Sequence, residues 1–122
     1  MTATHPTPTE IRLRKQSRVL DVAFGETERY SLPFEYLRVH SPSAEVQGHG
    51  PGQATLVLGK QQVMITAVEP IGQYAVRLVF DDGHDTGLYT WKYLRELGAE
   101  HATRWAAYLQ KVRDRLRSGS GI

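Results

Sequence analysis

Tyr74–Leu97, YAVRLVFDDGHDTGLYTWKYLREL, reads as a strand, a tight turn, a second strand and a short helix. Tyr74, Val76, Leu78 and Phe80 alternate with Ala75, Arg77 and Val79, so the period of two puts four large apolar side chains on one face of a half-buried strand. Asp81-Asp82-Gly83-His84 reverses the chain, because Gly accepts positive φ and Asp satisfies backbone donors in a hairpin. Thr86–Thr90 returns as the second strand. Trp91, Leu94 and Leu97 then recur every third residue, the rhythm of a helical turn.

Working outward, the same grammar occurs earlier in the chain. Arg18–Phe24 is a strand with Leu20, Val22 and Phe24 on one face, Gly25-Glu26 a turn, and the return strand passes through Tyr30 and Leu32. Pro33 suits the first turn of a short helix carrying Phe34, Tyr36, Leu37 and Arg38. Val22 and Phe24 correspond to Leu78 and Phe80, and PFEYLR (Pro33–Arg38) to TWKYLR (Thr90–Arg95), the offset changing from 56 to 57 across the turn. The expected fold is therefore α+β. An antiparallel sheet is built from two hairpin-plus-short-helix units, with one long C-terminal helix.

The remaining segments fit around this repeat. Residues 1–10 read as a disordered tail, 11–117 as one domain and 118–122 as a frayed end. Ile11–Lys15 is a candidate edge strand, His40–Ala54 a long loop rich in Gly and Pro, and Thr55–Leu58 a short strand before a Gly59-Lys60 turn. Val63–Val68 is expected to pair with Tyr74–Phe80 across Glu69-Pro70-Ile71-Gly72, and Gly98 to stop the short helix. Ala99–Arg117 follows as a helix with Trp105, Leu109, Val112 and Leu116 in one stripe, docking on the sheet or on a partner.

Composition excludes several chemistries. The chain of 122 residues has no Cys, which removes disulfides, thiol catalysis, Cys-ligated zinc and Cys-held iron–sulfur clusters. No apolar run is long enough for a membrane span and residues 1–10 hold no signal-like core, so a cytoplasmic location is expected. Fifteen Lys and Arg against 13 Asp and Glu give a net charge of only +2, weak support for nucleic acid. Gly48–Gly52 lacks the Lys-Ser/Thr of a phosphate loop, and there is no nucleophile elbow.

His84, with Asp81, Asp82 and Asp85 beside it, has the residue types of a base or metal ligand, though turn chemistry accounts for the same residues. His40, Glu45 and His49 with His84 form an N/O donor set without a recognised metal spacing. Arg38 and Arg95, one per unit, suit an anion clamp or, with more weight, the last carbonyls of their helices or a nearby Asp. Arg104, Lys111, Arg113, Arg115 and Arg117 make the last helix basic, which its macrodipole alone favours.

Ile71-Gly72-Gln73-Tyr74-Ala75, Asp82-Gly83-His84, Thr86-Gly87-Leu88-Tyr89-Thr90-Trp91 and Tyr93-Leu94-Arg95 together resemble the signature of the gamma-butyrobetaine hydroxylase-like N-terminal domain family. Leu32–Ala44 (LPFEYLRVHSPSA) is similar to the family's L-x-x-x-x-LR-x-x-CPCA segment, and the resemblance covers about residues 11–98. In the hydroxylase this domain resembles a zinc module with three Cys and one His; the matching positions are Ser41, Ser43, Val46 and His84. Serine is a poor zinc ligand and valine none, so the resemblance implies no structural zinc in this chain. The hydroxylase's iron and 2-oxoglutarate site lies in a separate domain, and that activity is not carried over.

Similar domains are fused to P-loop ATPases resembling iron–sulfur carriers, which implies an accessory or docking role near cofactor assembly. The leading expectation is a non-catalytic binding or adaptor module without a cofactor. Its expected contact surface for a protein partner, with such an ATPase as the candidate the resemblance implies, comprises Asp82, Gly83, His84, Asp85, Tyr89, Trp91, Tyr93 and Arg95 with the long loop. Two alternatives are a metal-dependent enzyme or metal binder using His40, Glu45, His49 and His84, and nucleic-acid binding through the last helix.

Overall fold

The computed structural model describes residues 7–48 and 54–120, with side chains through 117. Strands β1 (Glu10–Arg14), β2 (Val19–Ala23) and β3 (Arg29–Pro33) form one antiparallel sheet in that order, followed by helix α1 (Phe34–Val39) and a single turn, α2 (Ala44–Gln47). Strands β4 (Ile65–Ile71), β5 (Ala75–Phe80) and β6 (Leu88–Thr90) form a second, followed by α3 (Trp91–Ala99) and α4 (His101–Ser120). The two units of the sequence repeat thus build two three-stranded sheets rather than one continuous sheet. Each gains a first strand that the repeat did not include.

Register makes the repeat concrete. Leu20 pairs with Leu32 in the first unit, and at the same offsets Val76 pairs with Tyr89 in the second. The Phe24 N–H bonds to Glu28 O at 2.8 Å, and the Phe80 N–H to His84 O at 2.9 Å. Both helices are anchored alike, through Phe34 N–H to Arg18 O at 2.9 Å and Trp91 N–H to Tyr74 O at 3.0 Å.

Neither sheet buries its apolar face alone, so the units share one core. Leu20, Leu32, Phe34 and Leu37 meet Ile65, Leu78, Leu94 and Leu97 in a single cluster. The helices are exchanged across it. The Tyr36 hydroxyl donates to Leu97 O at 2.7 Å, and its counterpart Tyr93 donates to His40 O at 2.6 Å. Arg38 Nε donates to Asp82 Oδ2 at 2.9 Å with its guanidinium 5.9 Å from the Phe80 ring centre. In mirror fashion Arg95 Nε donates to Glu28 Oε2 at 2.7 Å with its guanidinium 6.0 Å from the Phe24 ring centre. Each unit therefore closes the hairpin of the other.

Several boundaries differ from the sequence reading, each for a physical reason. Tyr74 lies in the β4–β5 turn and is 55% exposed, while Ala75 is fully buried. Strand β4 runs on through Pro70, which an edge strand tolerates because its missing N–H points away from the ladder. Gly98 lies inside α3 rather than ending it: the helix stops at Glu100, and Gly98 is where the Tyr30 ring presses on the helix backbone. Thr55–Leu58 is not a strand, and α2 breaks the loop because Ser43 accepts the Glu45 N–H as an N-cap. Thr9 belongs to the first sheet's edge, its N–H bonding to Ala23 O at 2.7 Å, and α4 extends to Ser120. Among the described residues no helix is long and apolar enough to cross a membrane.

Candidate functional site

The Ser43 cap places Glu45 in the first turn of α2, and the β5–β6 turn, with Gly83 at φ +91°, swings His84 inward to meet it. Asp82 Oδ1 fixes that turn by accepting the His84 N–H at 3.1 Å. His84 is 5% exposed; its Nδ1 lies 3.0 Å from Glu45 Oε1 and its Nε2 2.8 Å from Ser41 Oγ. A carboxylate only accepts, so Nδ1 carries the proton and Nε2 accepts from the Ser41 hydroxyl. Ser41 Oγ in turn accepts the Ser43 N–H at 3.2 Å, and Ser43 Oγ meets Thr86 Oγ1 at 2.7 Å.

Of the positions singled out by the family resemblance, Ser41, Ser43 and His84 are joined by hydrogen bonds, and Val46 is buried in the turn of helix that Ser43 caps. They do not fit zinc. Two of the four are hydroxyls already bonded to neighbours, Val46 is a buried alkyl group, and the one good donor, His84 Nε2, is occupied by Ser41. Among the described residues no group of three or more His, Asp or Glu side chains is arranged to hold a metal.

The order Ser41–His84–Glu45 also matches that of a serine nucleophile, its base and an orienting carboxylate. The surroundings rule the chemistry out. Ser41 is fully buried, and a Cβ placed on Gly87 would lie 2.5 Å from its Oγ, so no substrate carbonyl can approach. The chain of bonds is a clamp between α2 and the β5–β6 turn.

Burial, helped by the nearby Arg38 charge, pushes the His84 pKa below 6.5 despite Glu45. Burial likewise lowers His40. Between pH 6.5 and about 5, above the carboxylate range, the unfolded chain takes up protons that the folded one refuses. Stability present above pH 6.5 is therefore expected to fall across that window, with the ring 15N shifts of His84 reporting the neutral Nδ1–H form at pH 6.5 and protonation only at lower pH. Unchanged urea stability across the window, or His84 titrating at 6.5 or above, would contradict this.

Of the other residues expected on a contact surface, Asp82 and Gly83 are exposed, Asp85, Trp91, Tyr93 and Arg95 are half-buried, and most of them also make bonds within the chain. Asp82 bridges Arg38 and, at 2.7 Å, Lys60; although burial opposes it, these cations and the His84 N–H hold its carboxyl at about 2. Asp85 lies 3.4 Å from Arg77. Tyr89 is fully buried and donates to Leu37 O at 2.5 Å, so it presents nothing to a partner. Trp91 is half-buried with its indole N–H on Gln73 O at 2.7 Å, and Tyr93 and Arg95 serve the reciprocal contacts described above. His40 packs against Tyr36 with ring centres 4.7 Å apart and planes tilted by 55°, and bonds Tyr36 O through Nδ1. His49 lies outside the described residues.

The sequence reading took the cations of α4 only as a basic helix and missed that three of them share a flank with Tyr108. Arg104, Tyr108, Lys111 and Arg115 recur at four, three and four residues, a second stripe beside the apolar one and legible by the same periodicity. Tyr108 donates to Val57 O at 2.7 Å, tying segment 54–57 to the helix beside a cleft of about 570 Å³ that both line. Beyond that tether α4 projects, with Leu109 37% and Leu116 63% exposed.

Two NMR solution structures of proteins resemble this chain. One has 51% identity, covers 90% of this chain and 86% of its own, with TM-score 0.78; the other has 46% identity, covers 93% and 86%, with TM-score 0.77. A crystal structure of a protein of unknown function of the DUF971 family from Acidithiobacillus ferrooxidans shares 41% identity over 81% of this chain and all of that one, with TM-score 0.67. No curated protein matches. The family model described as gamma-butyrobetaine hydroxylase-like, N-terminal, matches residues 11–95. Fold, repeat and match agree, and the chain belongs to the gamma-butyrobetaine hydroxylase-like N-terminal domain family.

Proposed function

We propose that this chain is a non-catalytic, cytoplasmic binding module that docks a protein partner on the outer half of α4. The observation that carries the reading is the projecting stripe of Leu109, Val112 and Leu116, whose two leucines are left uncovered by either sheet. Between Leu109 and Arg117 the helix bears four cations and one carboxylate, Asp114. That balance repels a second copy and favours an acidic amphipathic segment, whose apolar residues cover the stripe while its carboxylates meet Lys111, Arg113 and Arg115. The buried clamp at His84 and the reciprocal Arg38 and Arg95 pairs support a scaffold role for the hairpin surface. The family resemblance names the first partner to test, a P-loop ATPase resembling iron–sulfur carriers.

Leu109→Ser with Leu116→Ser is the test. Both side chains are exposed, so the melting temperature is expected to stay within a few degrees of the parent. Binding of an acidic partner retained by the unaltered chain is expected to weaken at least ~10-fold, about 1.4 kcal/mol. Undiminished binding by the double variant would overturn the reading.

A further inference from the structure

The cleft between α4 and segment 54–57 carries an inference that shares only Lys111 with the docking surface. Its walls are apolar and aromatic where Val46, Leu56 and Tyr108 meet, and its volume of about 570 Å³ falls in the range of small-ligand sites. Among the described residues no Asp or Glu lines it, whereas Arg104 and Lys111 both do. The polar groups of the walls are largely committed. Tyr108 donates to Val57 O, Tyr93 donates to His40 O, and His40 Nδ1 is held by Tyr36 O. Arg104 is anchored by its Nε on Glu100 Oε1 at 2.8 Å, with its guanidinium 5.7 Å from the Tyr93 ring centre. Lys111, by contrast, makes no ion pair or hydrogen bond among the described residues.

Besides the Thr55 hydroxyl, the donors left for a guest in this cleft are Lys111 and the outer edge of Arg104, and among the described residues nothing in the lining neutralises Lys111. Partial enclosure by low-dielectric walls strengthens the field of these two charges and selects acceptor-rich guests. From this geometry we infer a binding site for a small organic anion. Its carboxylate or phosphate meets Lys111 and the outer edge of Arg104, and its apolar or aryl body lies against Tyr108, Leu56 and Val46. Aromatic stacking is available because Tyr108 already stacks with Trp105, ring centres 5.0 Å apart, which fixes the plane of its ring.

The probes are phenylphosphate and benzoate, with benzamide as the neutral match to benzoate, titrated into the 15N-labelled chain. Saturable shifts confined to amides around Val57, Tyr108 and Lys111 are expected with at least one anion below ~10 mM, the strength a ligand of this size reaches. Which anion wins separates a phosphorylated from a carboxylated ligand. Lys111→Gln, at an exposed helical position, is expected to keep the rest of the spectrum and to weaken binding ~10-fold. No saturation with either anion by ~10 mM, equal shifts with benzamide, or unchanged affinity in Lys111→Gln would each overturn the assignment. Because Leu109 and Leu116 do not line the cleft, the double serine variant is expected to bind the probes normally.

Discussion

Replacing Tyr36 with alanine is expected to cost about 3–5 kcal/mol, the range for deleting a buried aromatic side chain, and to lower the melting temperature by roughly 10–20 °C. Tyr36 is fully buried, and its ring meets His101 at 4.4 Å and His40 at 4.7 Å between centres. Its hydroxyl is also the bond from the first unit to the helix of the second, at Leu97 O. Burial pushes that hydroxyl up to about 12, so it stays a donor throughout the accessible pH range. Tyr36→Phe keeps the ring and leaves only Leu97 O unpaired, for which about 1–3 kcal/mol is expected. Urea unfolding of the two variants separates the contributions. An alanine variant within about 1 kcal/mol of the parent would mean that the units do not depend on this contact.

Gly98→Ala is expected to destabilise by about 1–3 kcal/mol through overpacking, against the usual direction of the substitution. In an open helix the same change stabilises by up to about 1 kcal/mol, so the sign alone is diagnostic. A Cβ at Gly98 would fall inside contact distance of the Tyr30 ring at Cγ, the stem of the side chain, which cannot swing aside. The repeat gives this contact a counterpart: Ser41 corresponds to Gly98 and Gly87 to Tyr30 at the offset of 57, and the glycine has changed sides. At each crossing one partner is glycine, because two side chains do not fit. Tyr30→Ala combined with Gly98→Ala should therefore cost less than the sum of the two. Strict additivity in calorimetry, or a more stable Gly98→Ala, would contradict the contact.

Much of this architecture was legible in the sequence. Period two in Val76, Leu78 and Phe80, and the shared Tyr-Leu-Arg endings, identified the strands, the hairpins and the repeat because these features are local. The offset also held the register, since Leu20–Leu32 and Val76–Tyr89 pair at equivalent places. Division into two sheets was not legible, as strand pairing between distant segments leaves no periodic mark. Gly98 read as a helix stop for a related reason: its role depends on Tyr30, far away in sequence. At the site, residue types were visible but direction was not. His84 and its carboxylate neighbours read as an exposed tip, whereas the turn points the imidazole inward to Ser41 and Glu45, and only the fold supplies that orientation. The α4 cleft needed both the Arg104–Arg115 stripe and the Tyr108 tether to Val57, and the second is a tertiary contact.

The docking account is tested most directly by placing a photo-cross-linking amino acid at position 116 of the otherwise unaltered chain and identifying what it captures in the cells that make the protein. The expected product joins α4 to a segment of another protein in which Asp and Glu outnumber Lys and Arg and apolar residues recur at helical spacing. Cross-links to a second copy of this chain, to nucleic acid or to segments without an acidic excess would contradict the claim that α4 is the partner surface.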